Sequence, residues 1–409
     1  MELLKEILKI IDIITVAYLI YYIITGLCEL KSKNKIKEEV KKHKFAVIVP
    51  ARNEEKVIGN LLKSLNNQEY PKDCYDIFVV VNNCTDRTKE IALENEAQVI
   101  ECKTSIKSKG EALKIAFRKL KNDDYEAYII FDADNIVHPK FINKMNNALG
   151  EGYELAQGFR DSKNVSDTWI SSCYSIHYLI HNIFLNKARM NIDKSSFING
   201  TGFMISKKFL DRKGYKVHTL TEDIELTTRC ALDNEMIAFV EDAITYDEQP
   251  TTFKESWKQR KRWSIGTVQC FKIYSRKLIK KFFRKNNFTS IDAFIFLISP
   301  LLQFLGALSY LLHFLIGVTQ MQYMNYSSKI ISILIWYLAS LILAIVAIKI
   351  RKKHILPYIK GILTLPIFVL SWIPINILAI FSRKKQNTWE KIEHTRDVTI
   401  DKILEVTLK

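Results

Sequence analysis

The chain has 409 residues, with 60 Lys and Arg against 44 Asp and Glu, a formal net charge of +16, and is 48% hydrophobic and 25% charged. These values exclude a disordered chain, a collagen-like repeat and a small disulfide scaffold, and the length allows two or three domains. The averages conceal a split, because the apolar residues gather toward the two ends around a large polar middle.

The first apolar stretch, residues 7–27, is long enough to cross a bilayer and carries Asp12 within it. It is too long for the apolar region of a signal peptide and runs into lysines rather than a small-residue cleavage site, so residues 1–30 read as a retained anchor. Residues 31–44 follow with seven Lys against two Glu. Strands are then expected over 45–49, 76–81, 98–101 and 127–131, and helices over 55–67, 85–95 and 109–121. Apolar strands alternating with amphipathic helices predict an α/β fold with a parallel sheet covered on both faces, in which ligands sit beyond the carboxyl ends of the strands. The informative segments are therefore Pro50–Glu54, Asn82–Asp86 and Asp132-Ala133-Asp134. After Asn135 the regularity fades: a helix is expected over 168–189, and a loop and strand over 197–206 around Gly200 and Gly202.

Residues 251–286 hold twelve Lys and Arg against one Glu, with apolar positions at helical spacing from Phe253 to Phe282. A helix of that kind lies in the membrane interface. Two further apolar stretches, 291–318 and 330–350, are long enough to span, and a third, 356–381, is interrupted by Pro357, Pro366 and Pro374. Both basic blocks border apolar stretches, where Lys and Arg mark the cytoplasmic side and attract anionic lipid. Membrane lipid, not nucleic acid, is the expected partner. The seven cysteines contain no C-x-x-C pair, which suits reduced cytosolic thiols.

Several groups have chemical promise. Two carboxylates on alternate residues after a strand, Asp132 and Asp134, suit a hard divalent cation that bridges substrate phosphates; the plain alternative is a pair of solvated loop carboxylates. Thr221-Glu222-Asp223 reads either as a helix N-terminus favoured by its dipole or as the source of a general base. Lys109 opens a helix whose free N–H groups suit phosphate. On the basic helix, Gln259, Arg262 and Trp263 share a face by spacing; Arg suits a diphosphate and an indole suits the apolar face of a pyranose. His177 and His181 have zinc spacing, but no Glu follows His177 and no third ligand is evident.

Together these motifs resemble the membrane-bound family 2 inverting glycosyltransferases, the group of cellulose, hyaluronan and poly-N-acetylglucosamine synthases. The resemblance runs through Pro50–Glu54, Asn82–Asp86, Lys109–Leu113, Asp132–Asp134, Thr221–Asp223 and Gln259–Trp263. It implies a GT-A Rossmann-like nucleotide-sugar domain at 31–250, inserted between the anchor and an interfacial helix at 251–286, with transmembrane or interfacial helices at 287–381 and a cytosolic tail at 382–409. It also implies that Ala51, Glu54 and Asn82 face the base and ribose, that Lys109 and Asp132 touch ribose and diphosphate, and that Asp134, beside Asp132, holds Mg²⁺ or Mn²⁺. Asp223 would be the base and Arg262 the diphosphate contact. Trp263 would stack under the acceptor sugar, with Gln259, Glu222 and the Asn199-Gly200-Thr201 loop around the acceptor. Trp389, His394 and Arg396 match a gating loop. Two departures stand out: Asn82 occupies a position where the family often has Asp, and the acceptor loop lacks the Cys of cellulose synthases.

The expected activity is that of a processive, UDP-sugar-dependent hexosyltransferase, with UDP-glucose favoured over UDP-N-acetylglucosamine. It would extend a β-linked polysaccharide and pass it across the plasma membrane. Single transfer to a lipid acceptor and a non-catalytic basic membrane protein are the alternatives. The basic residues of the tail predict that 357–381 does not cross the membrane.

Overall fold

In a computed structural model the chain forms two compact units. The residues described are 2–31, 36–103, 106, 108–319, 326–382 and 398–400. One unit gathers residues 31–164 and 189–249 with the described tail residues; the other gathers 1–30, 165–188 and 250–384.

The first unit is built on one eight-stranded sheet: β1 (Phe45–Ala51), β2 (Tyr75–Val81), β3 (Gln98–Glu101), β4 (Ala127–Ile130), β5 (Ile136–Val137), β6 (Leu155–Ser162), β7 (Phe203–Ser206) and β8 (Ile237–Asp247). The order is β3-β2-β1-β4-β7-β6-β8-β5. The first four strands are mutually parallel, as the apolar runs predict. β7 then runs antiparallel to both β4 and β6, so the sheet is mixed rather than parallel throughout. β6 and β8 are parallel neighbours, shifted in register between Gly158 and Phe159. Strand order reverses between β1 and β4, and the crevice beyond their carboxyl ends is where such sheets bind ligands.

All seven residues of β1 are buried. Ile48, Val80 and Ile130 share one core with Leu113, Ala116 and Phe117 of the Lys109–Lys119 helix and with Leu226 and Cys230 of the Glu222–Asp233 helix. Ser108 caps the first of these helices by accepting the Glu111 N–H at 3.3 Å. The second starts with three acids, Glu222, Asp223 and Glu225, which its dipole favours, and stops at Asn234 in the left-handed region (φ 60°). At the far edge of the sheet, Ile400 of the tail is buried against Ile136 and Tyr246.

The second unit is helical. Its elements are Glu2–Leu27, Trp169–Ile180 with a π-helical continuation over His181–Lys187, Phe253–Lys285, Phe288–Leu297, Ser299–Thr319, Tyr326–Ile350, Ile359–Leu370 and Trp372–Ile380. The stretch expected as one span over 291–318 is two helices, parted at Ile298 just before Pro300, which cannot continue a helix without losing a hydrogen bond. Among the described residues, four helical stretches are long and apolar enough to cross a membrane: 2–30, 299–316, 330–350 and 356–380. The last is the most buried of the four.

Residues 165–188, inside the expected 31–250 domain, group with this helical unit. The reason is small side chains: Ser172 lies against Gly361, accepting its N–H at 3.1 Å and donating to the Tyr358 carbonyl at 3.3 Å. Polar pairs also tie the apolar helices. Asp12 accepts from Ser309 at 2.7 Å and meets His313 at 3.0 Å. Asn376 accepts from Ser264 and donates to Gln303, both at 2.7 Å.

Candidate active site

The loops after β1 and β2 are laced together. Asn53, in the left-handed region (φ 58°), accepts the Thr85 N–H at 2.8 Å; Glu54 N–H donates to Thr88 Oγ1 at 2.8 Å, and Glu55 N–H to Asp86 at 3.1 Å. Partial burial raises the Asp86 pKa, but hydrogen bonds from Thr88 and Glu55 outweigh it and hold the carboxyl below its ordinary value. Ala51 closes β1, fully buried. Asn82 is buried at the end of β2. Its Nδ2 donates to the Ile106 carbonyl at 3.1 Å, and its Oδ1 is buried with no hydrogen bond among the described residues. The amide thus presents a spare acceptor, the function that the family's Asp supplies.

Lys109 stands at the centre of a second cluster. Its ammonium is ion-paired with Asp132, donates to the Gly200 carbonyl at 2.6 Å and lies 4.0 Å from Glu222. Burial pushes the Glu222 carboxyl up to about 7; Lys109 pulls it down, while Asp223 and Asp132 push it further up. Gly200 (φ 83°) allows the close approach of Asp223, whose Oδ2 would stand 3.3 Å from a Cβ at that position. The backbone N–H of Asp132 is held by Thr201 Oγ1 at 3.0 Å and Asn135 Oδ1 at 3.2 Å. The structure therefore brings Lys109, Asp132, Gly200, Thr201, Glu222 and Asp223 together. Glu225, the remaining acid of the cluster, is structural: it accepts the N–H groups of His218 and Thr219, each at 2.6 Å.

Asp134 is buried two residues further on, accepting the Glu248 N–H at 3.2 Å. Beside it, burial pushes Asp247 up to about 6, against the pull of Arg160 and with a further push from Asp134. No group of three His, Cys, Asp or Glu side chains able to hold a metal ion occurs among the described residues, so His177 and His181 form no zinc site there. A carboxylate pair without a closed donor set fits a cation whose remaining positions are filled by diphosphate oxygens and water.

In the helical unit, the Gln259–Trp263 segment lies on the Phe253–Lys285 helix. Gln259, Arg262 and Trp263 are half-buried, and Arg262 makes no hydrogen bond or ion pair among the described residues. The residue turned fully inward is Arg260. It shares a buried stripe with Ser256 and Ser264, while Ile265, Val268, Tyr274 and Leu278 of the expected apolar positions are buried and Phe253 stays 40% exposed. Trp389, His394 and Arg396 lie outside the described residues.

The family described as Glycosyltransferase like family 2 matches residues 43–266, more than half of the chain. The chain belongs to that family. The probable glycosyltransferase YdaM of Bacillus subtilis is 28% identical over 86% of each chain. A β-monoglucosyldiacylglycerol synthase from Nostoc sp. is 25% identical over 58% of this chain, which spans about half (51%) of that enzyme's length. The fold matches a solved mannosyltransferase of Pyrobaculum calidifontis, in complex with GDP-Man and Mn²⁺, with a TM-score of 0.61, 16% identity, and coverage of 92% of this chain and 100% of that one.

Sequence reasoning misses two residues that hold the Asn199-Gly200-Thr201 loop of this glycosyltransferase. Arg160 on β6 is bound to Asp247 and donates to the Asn199 carbonyl at 3.0 Å. Gln157 accepts the Asn199 N–H at 2.8 Å and donates to the Thr201 carbonyl at 3.0 Å. Buried polar side chains inside a strand, in the run Gln157-Gly158-Phe159-Arg160-Asp161, are the signal that points to them. The same polarity hides β6 from an apolar strand pattern.

Proposed function

We propose that this chain is a membrane-embedded inverting hexosyltransferase. It takes a sugar from a UDP donor, glucose in preference to N-acetylglucosamine, and adds it repeatedly to the end of a β-linked polysaccharide that passes across the membrane. The observation that carries the reading is the convergence of Lys109, Asp132 and Glu222 beyond β4, with Asp223 against Gly200.

Asn82 accepts the imide N–H of uracil through its spare carbonyl, while Ala51 and Glu54 line the nucleoside. Lys109 and Arg262 bind the diphosphate, Lys109 already oriented by Asp132. A divalent cation, Mg²⁺ or Mn²⁺, held by Asp134 with Asp132 alongside, supplies charge neutralisation to the leaving diphosphate. Asp223 accepts the proton of the attacking hydroxyl, and Glu222, neutral over much of the pH range below about 7, orients the acceptor by donating a hydrogen bond. Asn199, whose Nδ2 is buried without a hydrogen bond among the described residues, meets the acceptor with Gly200, Thr201, Gln259 and Trp263.

The sheet unit stands on the cytosolic face of the plasma membrane, where nucleotide sugars are made, and 356–380 lies short of crossing. A second reading, one transfer to a lipid acceptor, is favoured by the similarity to β-monoglucosyldiacylglycerol synthases. Incubating membranes that contain the chain with radiolabelled UDP-glucose and sizing the product separates them. A ladder of long β-glucanase-sensitive chains supports polymerisation. A single labelled glycolipid supports the second reading. The absence of transfer from any of a panel of UDP- and GDP-sugars overturns both.

A further inference from the structure

Trp263 does not stand alone. The ring of Trp372 lies nearly parallel to it, with centroids 6.3 Å apart and planes 25° apart. The His177 imidazole follows at 6.2 Å and 32° from Trp372. All three rings are half-buried, so each keeps an accessible part. Tyr174 and Tyr178 press edge-on against Trp263 at 6.0 and 6.5 Å.

Arg260 explains why Trp372 is fixed. Its guanidinium carbon lies 5.4 Å from the Trp372 ring and 4.3 Å from that of Phe368. It donates to the Phe368 carbonyl at 3.2 Å and to Ser371 Oγ at 2.7 Å, at the junction where one helix ends at Leu370 and the next begins at Trp372. No carboxylate pairs with it among the described residues, and its Nη2 is buried without a partner there. A buried cation without a counter-charge is costly to a fold, unless its hydrogen bonds and ring contacts hold something that would otherwise move. What this one holds is the Ser371–Trp372 junction, a carbonyl-rich helix end that suits a cation.

We propose that Trp372 is a second sugar-binding wall beside Trp263, and that Arg260 is the positioning residue that holds it. The ligand class is a β-linked glycan of at least two pyranoses, whose apolar ring faces lie against the two indoles. Polar edges accompany the rings: the His177 imidazole, and Gln259, whose Oε1 is buried without a hydrogen bond among the described residues. Those edges suit sugar hydroxyls and have no use for a lipid chain. The inference rests on the acceptor role of Trp263 given above and adds residues that the family motif does not contain.

The test uses the full chain in nanodiscs and reads binding without turnover, by quenching of tryptophan fluorescence with methyl β-cellobioside and methyl β-glucoside. Cellobioside is expected to bind about tenfold more tightly than glucoside. Trp372→Ala should abolish that ratio while UDP affinity stays within twofold, and Trp372→Phe should restore most of it. Arg260→Met should reduce the ratio in the same way with UDP affinity within twofold, and Arg260→Lys should act less severely. An unchanged ratio in Trp372→Ala overturns the proposal. If Trp263→Ala alone loses cellobioside, only Trp372's part falls; if neither variant loses it, the acceptor reading of Trp263 falls too. A Trp372-dependent gain that follows alkyl length, with octyl β-glucoside binding like the disaccharide, makes the wall a lipid site and overturns the sugar assignment.

Discussion

Lys109 in the sheet unit and Arg260 in the helical unit are both removed from water, yet they are satisfied by opposite means. Lys109 is ringed by carboxylates and a carbonyl: Asp132, Glu222 and Gly200. Arg260 has a carbonyl, a hydroxyl and aromatic faces. Lys109 sits in a field of negative charge that a diphosphate must compete with or be screened from. Arg260 carries its charge into an apolar setting, where shape matters more than neutralisation. The contrast separates a Lys109 cluster organised by charge from an Arg260 cluster organised by ring packing.

The sharpest way to test that division is to remove charge where the donor binds. Asp134→Ala should abolish transfer, and wild-type activity should vanish in excess EDTA and return with Mg²⁺ or Mn²⁺, because an unscreened diphosphate leaves poorly. Full turnover in EDTA would contradict the charge-organised donor site. Next in size, Asp223→Asn keeps the shape and removes the proton acceptor. Transfer should fall roughly 10²–10⁴-fold with UDP affinity unchanged. An equal collapse of UDP affinity would make Asp223 a donor contact.

The strand-end region around Lys109 is also the more legible in sequence. Its residues follow apolar strands at fixed offsets, so Ala51, Asn82 and Asp132 could be placed at strand ends from the alternation alone, and the first four strands lie where the pattern puts them. The second half of the sheet is not legible in this way. β6 and β8 bury Gln157, Asp161 and Asp247, and half-bury Arg160, through hydrogen bonds that only the assembled sheet provides, so they lack the apolar signature. In the helical unit, spacing puts Gln259, Arg262 and Trp263 on one face. It passes over Arg260, because a buried arginine on a Ser256–Ser264 stripe looks like part of a solvated charge run until its neighbours are known.

A direct exchange of the two cations comes third. Lys109→Met should weaken UDP binding more than tenfold, whereas Arg260→Met should leave it within twofold; titration with UDP measures both, and equal losses would erase the distinction. The smallest effect is in pH. Because the Glu222 pKa is raised on folding to about 7, its contribution to stability is fully present below its ordinary value near 4.5 and is lost as pH rises through about 7. Melting temperatures of wild type and Glu222→Gln should therefore diverge across that window, the wild type losing ground at higher pH. Parallel curves would show that Glu222 is not held in its neutral form.

The burial of Ile400 against Ile136 and Tyr246 has a consequence for counting. A chain that leaves a folded sheet at residue 249 and returns to its edge at residue 400 must cross any intervening bilayer an even number of times. Among the described residues, three helices between those points are long and apolar enough to cross, and three is odd. The one set apart is 356–380, the most buried, carrying Pro366 and Pro374 and parted at Ser371. If 299–316 and 330–350 form a hairpin of spans, as the proposed function has it, 356–380 enters without emerging. Under that proposal the 2–30 helix is a third crossing, which puts its first residues and the sheet on opposite faces. A single cysteine placed beside Ile400, in a chain lacking the others, should resist an impermeant maleimide in intact cells and react once they are opened.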